Sequence, residues 1–416
     1  MFKAWTGWRA QTRLAAAGVT LGALVAAAPA VSASTLGGLA ATSPSGPVTG
    51  TTNGPVRGLA NGMVDEFLGI PYAAPPVGAL RWRPPQPAAS WSGVRDATQF
   101  APHCPQPPTP FGQASMSEDC LFLNVFTPSH KQAGSHHPVM VWIHGGALVT
   151  GESNDYIPTK LVEDGVTVVT INYRLGALGF LAHPALADAN GQSGDYGLMD
   201  QQAALRWVQR NIASFGGDPH NVTIFGESAG GLSTLSQVAS PQARGLFERA
   251  IVESGSYNLT QAPLASAEAA GEAFAAKAGC ASQTAACLRI LPVSTILADQ
   301  NAAGYTPNIN SEVLPESLGA AFATGTFNRV PIINGTNRDE WRLFVALSEL
   351  EVGHPLTAAG YPLAISATLR VPLAVASVPT APRAMDGLGN ALSGYLAAMT
   401  AATTGGTPSV EEIMLW

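Results

Sequence analysis

The sequence predicts an α/β protein with a mostly parallel central sheet and helices on both faces, and three observations carry that reading. First, the runs PVMVWIHGG from Pro138, VTVVTINYRLG from Val166 and NVTIFGESAGG from Asn221 are short, apolar and β-branched, and each ends in a turn. Without polar alternation they suit strands buried on both faces. Second, a helical stretch separates the last two. In GLMDQQAALRWVQRNIASFGGDP, the residues Leu198, Ala203, Leu205, Val208 and Ile212 fall roughly at helical spacing, and Gly216, Gly217 and Pro219 stop the helix. A strand, a helix and a strand in this order call for a right-handed parallel crossover. Third, RAIVESGS from Arg249 and RVPIINGTNRDE from Arg329 continue the rhythm, with an Ala-rich helical stretch over 266–279 and a cysteine loop between them.

Composition agrees with a well-cored protein. Of 416 residues, 46% are hydrophobic and only 12% charged, which excludes disorder as the main description. The net charge of −7, with no basic block able to neutralise a run of phosphates, argues against nucleic acid as a partner.

The first 33 residues read as a signal peptide. Lys3, Arg9 and Arg13 precede an apolar stretch from Leu14 to Ala30, and Val31-Ser32-Ala33 makes a small-residue cleavage site. A membrane anchor is the rival reading, but the stretch is at the short limit of spanning length and holds Pro29. The expectation is a secreted or extracytoplasmic protein without stable membrane insertion once the signal is removed. Residues 34–47, rich in Thr, Gly, Ser and Pro, read as a flexible leader, and the folded domain begins at Val48. Export favours disulfides among Cys104, Cys120, Cys280 and Cys287. Three pairings are open, and loop-closure entropy favours the local ones, Cys104 with Cys120 and Cys280 with Cys287. No cysteine or histidine spacing suits zinc, so neither metal nor cofactor is expected.

The decisive local feature is Gly226-Glu227-Ser228-Ala229-Gly230, placed after the strand Val222–Phe225 and before the helix-compatible GLSTLSQVA. A nucleophile on a tight strand-to-helix turn needs glycine two residues before and after it, because side chains there would meet neighbouring backbone. Ser228 is therefore the candidate nucleophile, against an ordinary turn serine. Its attack on a carbonyl would create an oxyanion, which takes backbone N–H donors to stabilise. The loop His144-Gly145-Gly146-Ala147 follows another strand and suits that task, with donors from Gly146, Ala147 and Ala229. His144 reads as a loop-ordering residue, not a base.

With these residues in view, the chain resembles the type-B carboxylesterase/lipase family, which includes the cholinesterases and has the α/β-hydrolase fold. The matching stretches are FLGIPYAAPPVGALRWRPPQP, SEDCLFLNVFTP, WIHGGALVTG, INYRLGALGFL, GLMDQQAALRWVQRNIASFGGDPHNVTIFGESAGG and NGTNRDEW, within about residues 48–370. The resemblance makes 48–377 the hydrolase domain. It implies Ser228 as nucleophile and Glu340, in Arg338-Asp339-Glu340, as the triad acid, with Asp339 the local competitor. It also implies the two local disulfides and two structural ion pairs, Arg81 with Glu118 and Arg174 with Asp200. The alternative for those pairs is solvated surface charge. Glu227 and Ser254 look like supports of the site. Asn221, Asn258 and Asn334 lie in glycosylation sequons that need not be used.

Two departures from the family matter. Cholinesterases keep a tryptophan in the first cysteine loop to attract a quaternary ammonium, whereas the segment between Cys104 and Cys120 holds none. General carboxylic esters are expected as small-molecule substrates, and choline esters are not. The family also carries its base as a histidine roughly 100 residues after the acid. The only histidine after Glu340 is His354, in a stretch that reads as a helical insertion and is a poor candidate. Residues 378–416 form an atypical tail without the family's closing strands, and the expectation is a truncated or frame-shifted chain. The sequence reading is thus a serine ester hydrolase forming an acyl-enzyme on Ser228. Its alternative is a catalytically impaired or non-catalytic protein of the same fold.

Overall fold

The structure, a computed structural model, describes residues 46–337 apart from 110–111, 130–133, 257, 302–304 and 311–312. The expected signal peptide, Asp339, Glu340, His354 and the 378–416 tail lie outside the described residues. All five runs singled out in the sequence are strands: His137–Ile143, Thr167–Ile171, Gly217–Glu227, Arg249–Glu253 and Ile332–Gly335. They pair in parallel, in the spatial order 332–335, 249–253, 217–227, 137–143, 167–171. Three further strands, Phe122–Pro128, Val64–Pro71 and Leu59–Asn61, extend the sheet antiparallel beyond 167–171. Among the described residues this makes one mostly parallel sheet of eight strands.

Alternation along the strands feeds two cores. Val141 and Ile143 pack with Leu198, Leu205, Val208, Leu232 and Leu235 from the helices Tyr196–Asn211 and Ala229–Ala239. Trp142 points the other way, packing with Phe225, Phe126 and Val168 and with Val162 of the short helix Thr159–Glu163. Its ring meets Phe225 edge-on, with centroids 4.8 Å apart. Helices therefore cover both faces.

The helix Tyr196–Asn211 departs from a simple amphipathic reading, because Asp200, Gln201 and Gln202 are fully buried. Hydrogen bonds offset the burial of these polar groups, although Gln202 Oε1 has no partner among the described residues. Gln201 Nε2 donates to Ser233 Oγ at 3.1 Å, Gln202 Nε2 to Gln237 Oε1 at 3.0 Å, and Gln237 Nε2 to Gln201 Oε1 at 2.9 Å. This amide ladder ties the crossover helix to the helix that follows Ser228. The Ala-rich stretch forms the helix Leu264–Lys277.

Both implied ion pairs form, and both are buried. Arg174 Nε and Nη2 each donate at 2.7 Å to one oxygen of Asp200, whose side chain is wholly inaccessible. Arg81 makes a two-pronged contact with Glu118 and also donates through Nη1 to the Leu291 carbonyl at 2.6 Å. The reading of these residues as solvated surface charge is thereby replaced. Cys104 is bonded to Cys120 and Cys280 to Cys287. No described helix is long and apolar enough to cross a membrane.

Candidate active site

Strand register brings the candidate residues to one end of the sheet. Ile143 and Val252 flank Gly226 in the ladder, and Asn334 pairs with Val252. His144, Ser228, Ser254 and Thr336 therefore all lie just beyond the carboxyl ends of adjacent parallel strands, where ligands of open α/β sheets bind.

Ser228 sits at φ 54°, ψ −118°, a left-handed conformation that side chains rarely adopt, and is half-buried. Such strain persists only where the surroundings over-determine it. Here the Ser228 N–H donates to the Glu253 carbonyl at 2.8 Å, and the Ser228 carbonyl accepts from Leu232 N–H at 2.9 Å. The glycine requirement is met at both positions. A Cβ at Gly226 would lie 2.6 Å from the Ile143 carbonyl oxygen, and one at Gly230 only 1.9 Å from it. The side-chain demands of the turn are thus dictated by the neighbouring strand.

The glycine loop lies against the elbow. A Cβ built at Gly145 would be 3.3 Å from Ser228 Cβ and 3.0 Å from Glu227 Oε2. Gly146, Ala147 and Leu148 follow at φ 96°, 55° and 60°, and each non-glycine residue there stores on the order of 1–3 kcal/mol of strain. The Gly146 carbonyl closes the turn by accepting from Val149 and Thr150 N–H, both at 3.0 Å. Among the described residues no acceptor takes the N–H of Gly146, Ala147 or Ala229, the last opening its helix. Unengaged donors beside a strained serine are the arrangement an oxyanion needs.

His144 is fully buried. Its ring stacks on Tyr173 with centroids 4.4 Å apart, its Nδ1 meets the Gly145 carbonyl at 2.9 Å, and its own carbonyl accepts from Tyr173 Oη at 2.7 Å. Burial lowers its pKa to about 4, so the ring is neutral near pH 7. The other described histidines are placed away from the serine hydroxyl's task. His103 Nδ1 is 2.8 Å from Glu152 Oε2, and His183 bonds the Ala185 N–H and Gln283 Oε1. His136 and His137 lie where strand 137–143 begins, opposite the elbow, and His220 is exposed early in strand 217–227. No described group hydrogen-bonds to Ser228 Oγ. The Ser254 N–H donates to the Gly335 carbonyl at 2.7 Å, tying the turn after strand 249–253 to the segment that leads towards Glu340.

Comparison with known proteins follows the same residues. The model described as "Carboxylesterase family" matches residues 45–356. The chain belongs to the carboxylesterase family. It is 42% identical to the fumonisin B1 esterase of Sphingopyxis macrogoltabida over 301 residues, covering 68% of this chain and 54% of the relative. Against the para-nitrobenzyl esterase of Bacillus subtilis (strain 168) the figures are 41% over 323 residues, 73% and 63%. A solved carboxylesterase structure from Geobacillus stearothermophilus superposes with TM-score 0.74 at 34% identity, covering 88% of this chain and 78% of that one. This carboxylesterase-family chain spans about half the length of the curated relatives it matches. The fold is accordingly the α/β-hydrolase fold of those structures.

Two buried polar residues were missed in the sequence. Gln106, in the first cysteine loop, is fully buried against Thr150 and Gly151. Asp195, also fully buried, accepts from Asn308 N–H and Asn310 Nδ2, both at 3.0 Å. Desolvation raises its carboxyl pKa to about 8. Neither residue stands in a short motif, and their partners are 45 and 113 positions away. Among the described residues no group of three or more His, Cys, Asp or Glu is placed to hold a metal ion.

Proposed function

We propose that this chain is a carboxylic ester hydrolase acting through an acyl-enzyme on Ser228. The observation that carries the proposal is the strained Ser228 with the Gly145–Ala147 loop packed against it. In this reading Ser228 Oγ attacks the ester carbonyl carbon, the alcohol leaves, and water then releases the acid from Ser228. The N–H groups of Gly146, Ala147 and Ala229 hold the oxyanion, each worth about 3 kcal/mol in the transition state. Glu340 is the triad acid, which would orient a histidine base to take the serine proton, a role that the reading assigns to no histidine of this sequence.

General carboxylic esters are the proposed substrates, in keeping with relatives named for esters as different as fumonisin B1 and para-nitrobenzyl compounds. Choline esters are excluded from the proposal because the Cys104–Cys120 segment lacks tryptophan. The proposed setting is extracytoplasmic, after removal of residues 1–33. Two disulfides support that compartment. The test is hydrolysis of a chromogenic short-chain ester by the full chain and by Ser228→Ala. The proposal expects a rate that the substitution abolishes, and equal rates for the two proteins sink it.

A further inference from the structure

The Gly146–Leu148 turn holds three successive positive φ angles, so something must over-determine it. Its own closing bonds, from Val149 and Thr150 N–H to the Gly146 carbonyl, fix the turn internally. They do not fix where it sits. From outside, Gly176 N–H donates to the Leu148 carbonyl at 2.6 Å and Thr109 Oγ1 meets Thr150 Oγ1 at 3.0 Å, while three bonds from a single side chain hold the exit at 150–151. Gln106 Oε1 accepts from Gly151 N–H at 2.8 Å and from Thr150 Oγ1 at 2.5 Å, and Gln106 Nε2 donates to the Gly151 carbonyl at 3.0 Å. The primary amide thus satisfies both backbone groups of Gly151 at once, as a neighbouring strand would.

Packing leaves this amide little freedom. Gln106 is fully buried, and a Cβ at Gly112 would come within 2.5 Å of its Oε1. Gly151 is equally confined, since a Cβ there would lie 2.5 Å from His144 Nδ1. The backbone of Gln106 is bridged to Ser115 in both directions at 3.0 Å, and it stands two residues from the buried Cys104–Cys120 disulfide. One step further on, His103 Nδ1 meets Glu152 Oε2 at 2.8 Å. Residues 103–106 therefore grip residues 150–152 at two points, and one of them is a geometric match to backbone.

We infer that Gln106 is a positioning residue for the reaction proposed above. Through Gly151 and Thr150 it sets where the Gly146 and Ala147 N–H groups stand relative to Ser228, with the Cys104–Cys120 disulfide as its anchor. The inference rests on the ester-hydrolase reading. It adds that the first cysteine loop works on the reacting carbonyl indirectly, through this amide.

The test uses the full chain with three changes. Gln106→Leu keeps the bulk and removes every side-chain bond, Gln106→Glu keeps the acceptor but sets a carboxylate oxygen against the Gly151 carbonyl, and Ser117→Ala is a control in the same loop, whose hydroxyl donates to the Asp119 carbonyl at 3.0 Å. Ester kinetics and amide hydrogen exchange are measured on each. Both Gln106 variants are expected to lower kcat by about 100-fold with KM within about twofold, because donors that serve only the transition state are displaced. Exchange should quicken over 145–151 and stay unchanged over the helix Ala229–Ala239, while Ser117→Ala matches the parent. A loop that loosens without loss of kcat, or that does not loosen, overturns the inference. So does a fall in kcat accompanied by equal loss of protection in 229–239, which marks general destabilisation. Ser228-dependent turnover that Gln106→Leu leaves intact sinks the positioning role alone. Turnover that Ser228→Ala leaves intact sinks the ester-hydrolase reading and takes the positioning role with it.

Discussion

Replacing Gly230 by alanine perturbs the elbow at its tightest point. The added Cβ would stand 1.9 Å from the Ile143 carbonyl oxygen and 2.9 Å from that of His144. Real Cβ atoms essentially never come closer than 3.0 Å, so the two backbones must part by about 1.1 Å. Neither side yields easily. Ile143 is locked in the sheet beside Gly226, and the helix Ala229–Ala239 is buried at all 11 of its positions. Overpacking of this kind costs about 1–3 kcal/mol. The parting occurs between the strand that delivers the glycine loop and the helix that follows Ser228, and a misplacement of about 1 Å at reacting groups costs roughly 100-fold in rate. Gly50→Ala is the control, since a Cβ there meets nothing within 4 Å. Urea unfolding of parent and variants gives the stability change, and steady-state ester kinetics give kcat. A Gly230→Ala protein with the parent's midpoint and kcat would refute the claim that neighbouring backbone, and not sequence habit, imposes glycine at this position.

Two other predictions concern buried charge. The folded-state pKa of Asp195, about 8, lies above its unfolded value near 4, so the stability linked to its proton is full below pH 4 and is lost as pH rises through 8. Asp195→Asn should therefore gain stability relative to the parent between pH 5 and pH 8, by a few kcal/mol at most; parallel stability profiles in urea titrations would contradict this. Removing Asp200 strands the Arg174 guanidinium, whose side chain is 3% exposed. Asp200→Ala should lose about 3–5 kcal/mol, whereas breaking the exposed Lys160–Glu163 pair should change nothing measurable. Equal unfolding midpoints for those two variants would count against the buried pair.

The parallel half of the sheet was legible because its strands centre on short runs of β-branched and apolar residues. Thr167–Ile171, buried at every position, is the extreme case. The antiparallel half was not. Phe122–Pro128 was noticed only as part of a family motif, since Asn124 and Thr127 interrupt its apolar run. Both are buried and bonded, Asn124 Nδ2 to Thr170 Oγ1 at 3.0 Å and Thr127 Oγ1 to the Phe215 carbonyl at 2.8 Å. At the site, the elbow could be read because sterics force glycine at fixed offsets from the serine, a constraint local in sequence. Gln106 and Asp195 were silent for the opposite reason. Their roles come from contacts made only on folding, and as isolated polar residues they carry no periodicity or spacing.

The most direct test of the account is the fate of Ser228 itself. The full chain is mixed with an ester of a slowly released acyl group, quenched in acid, digested and weighed by mass spectrometry. The account predicts the acyl mass on the peptide holding Ser228, absent from Ser228→Ala, together with ester hydrolysis that disappears in the same variant. Acylation elsewhere on the chain, or hydrolysis that survives the loss of Ser228, would contradict it.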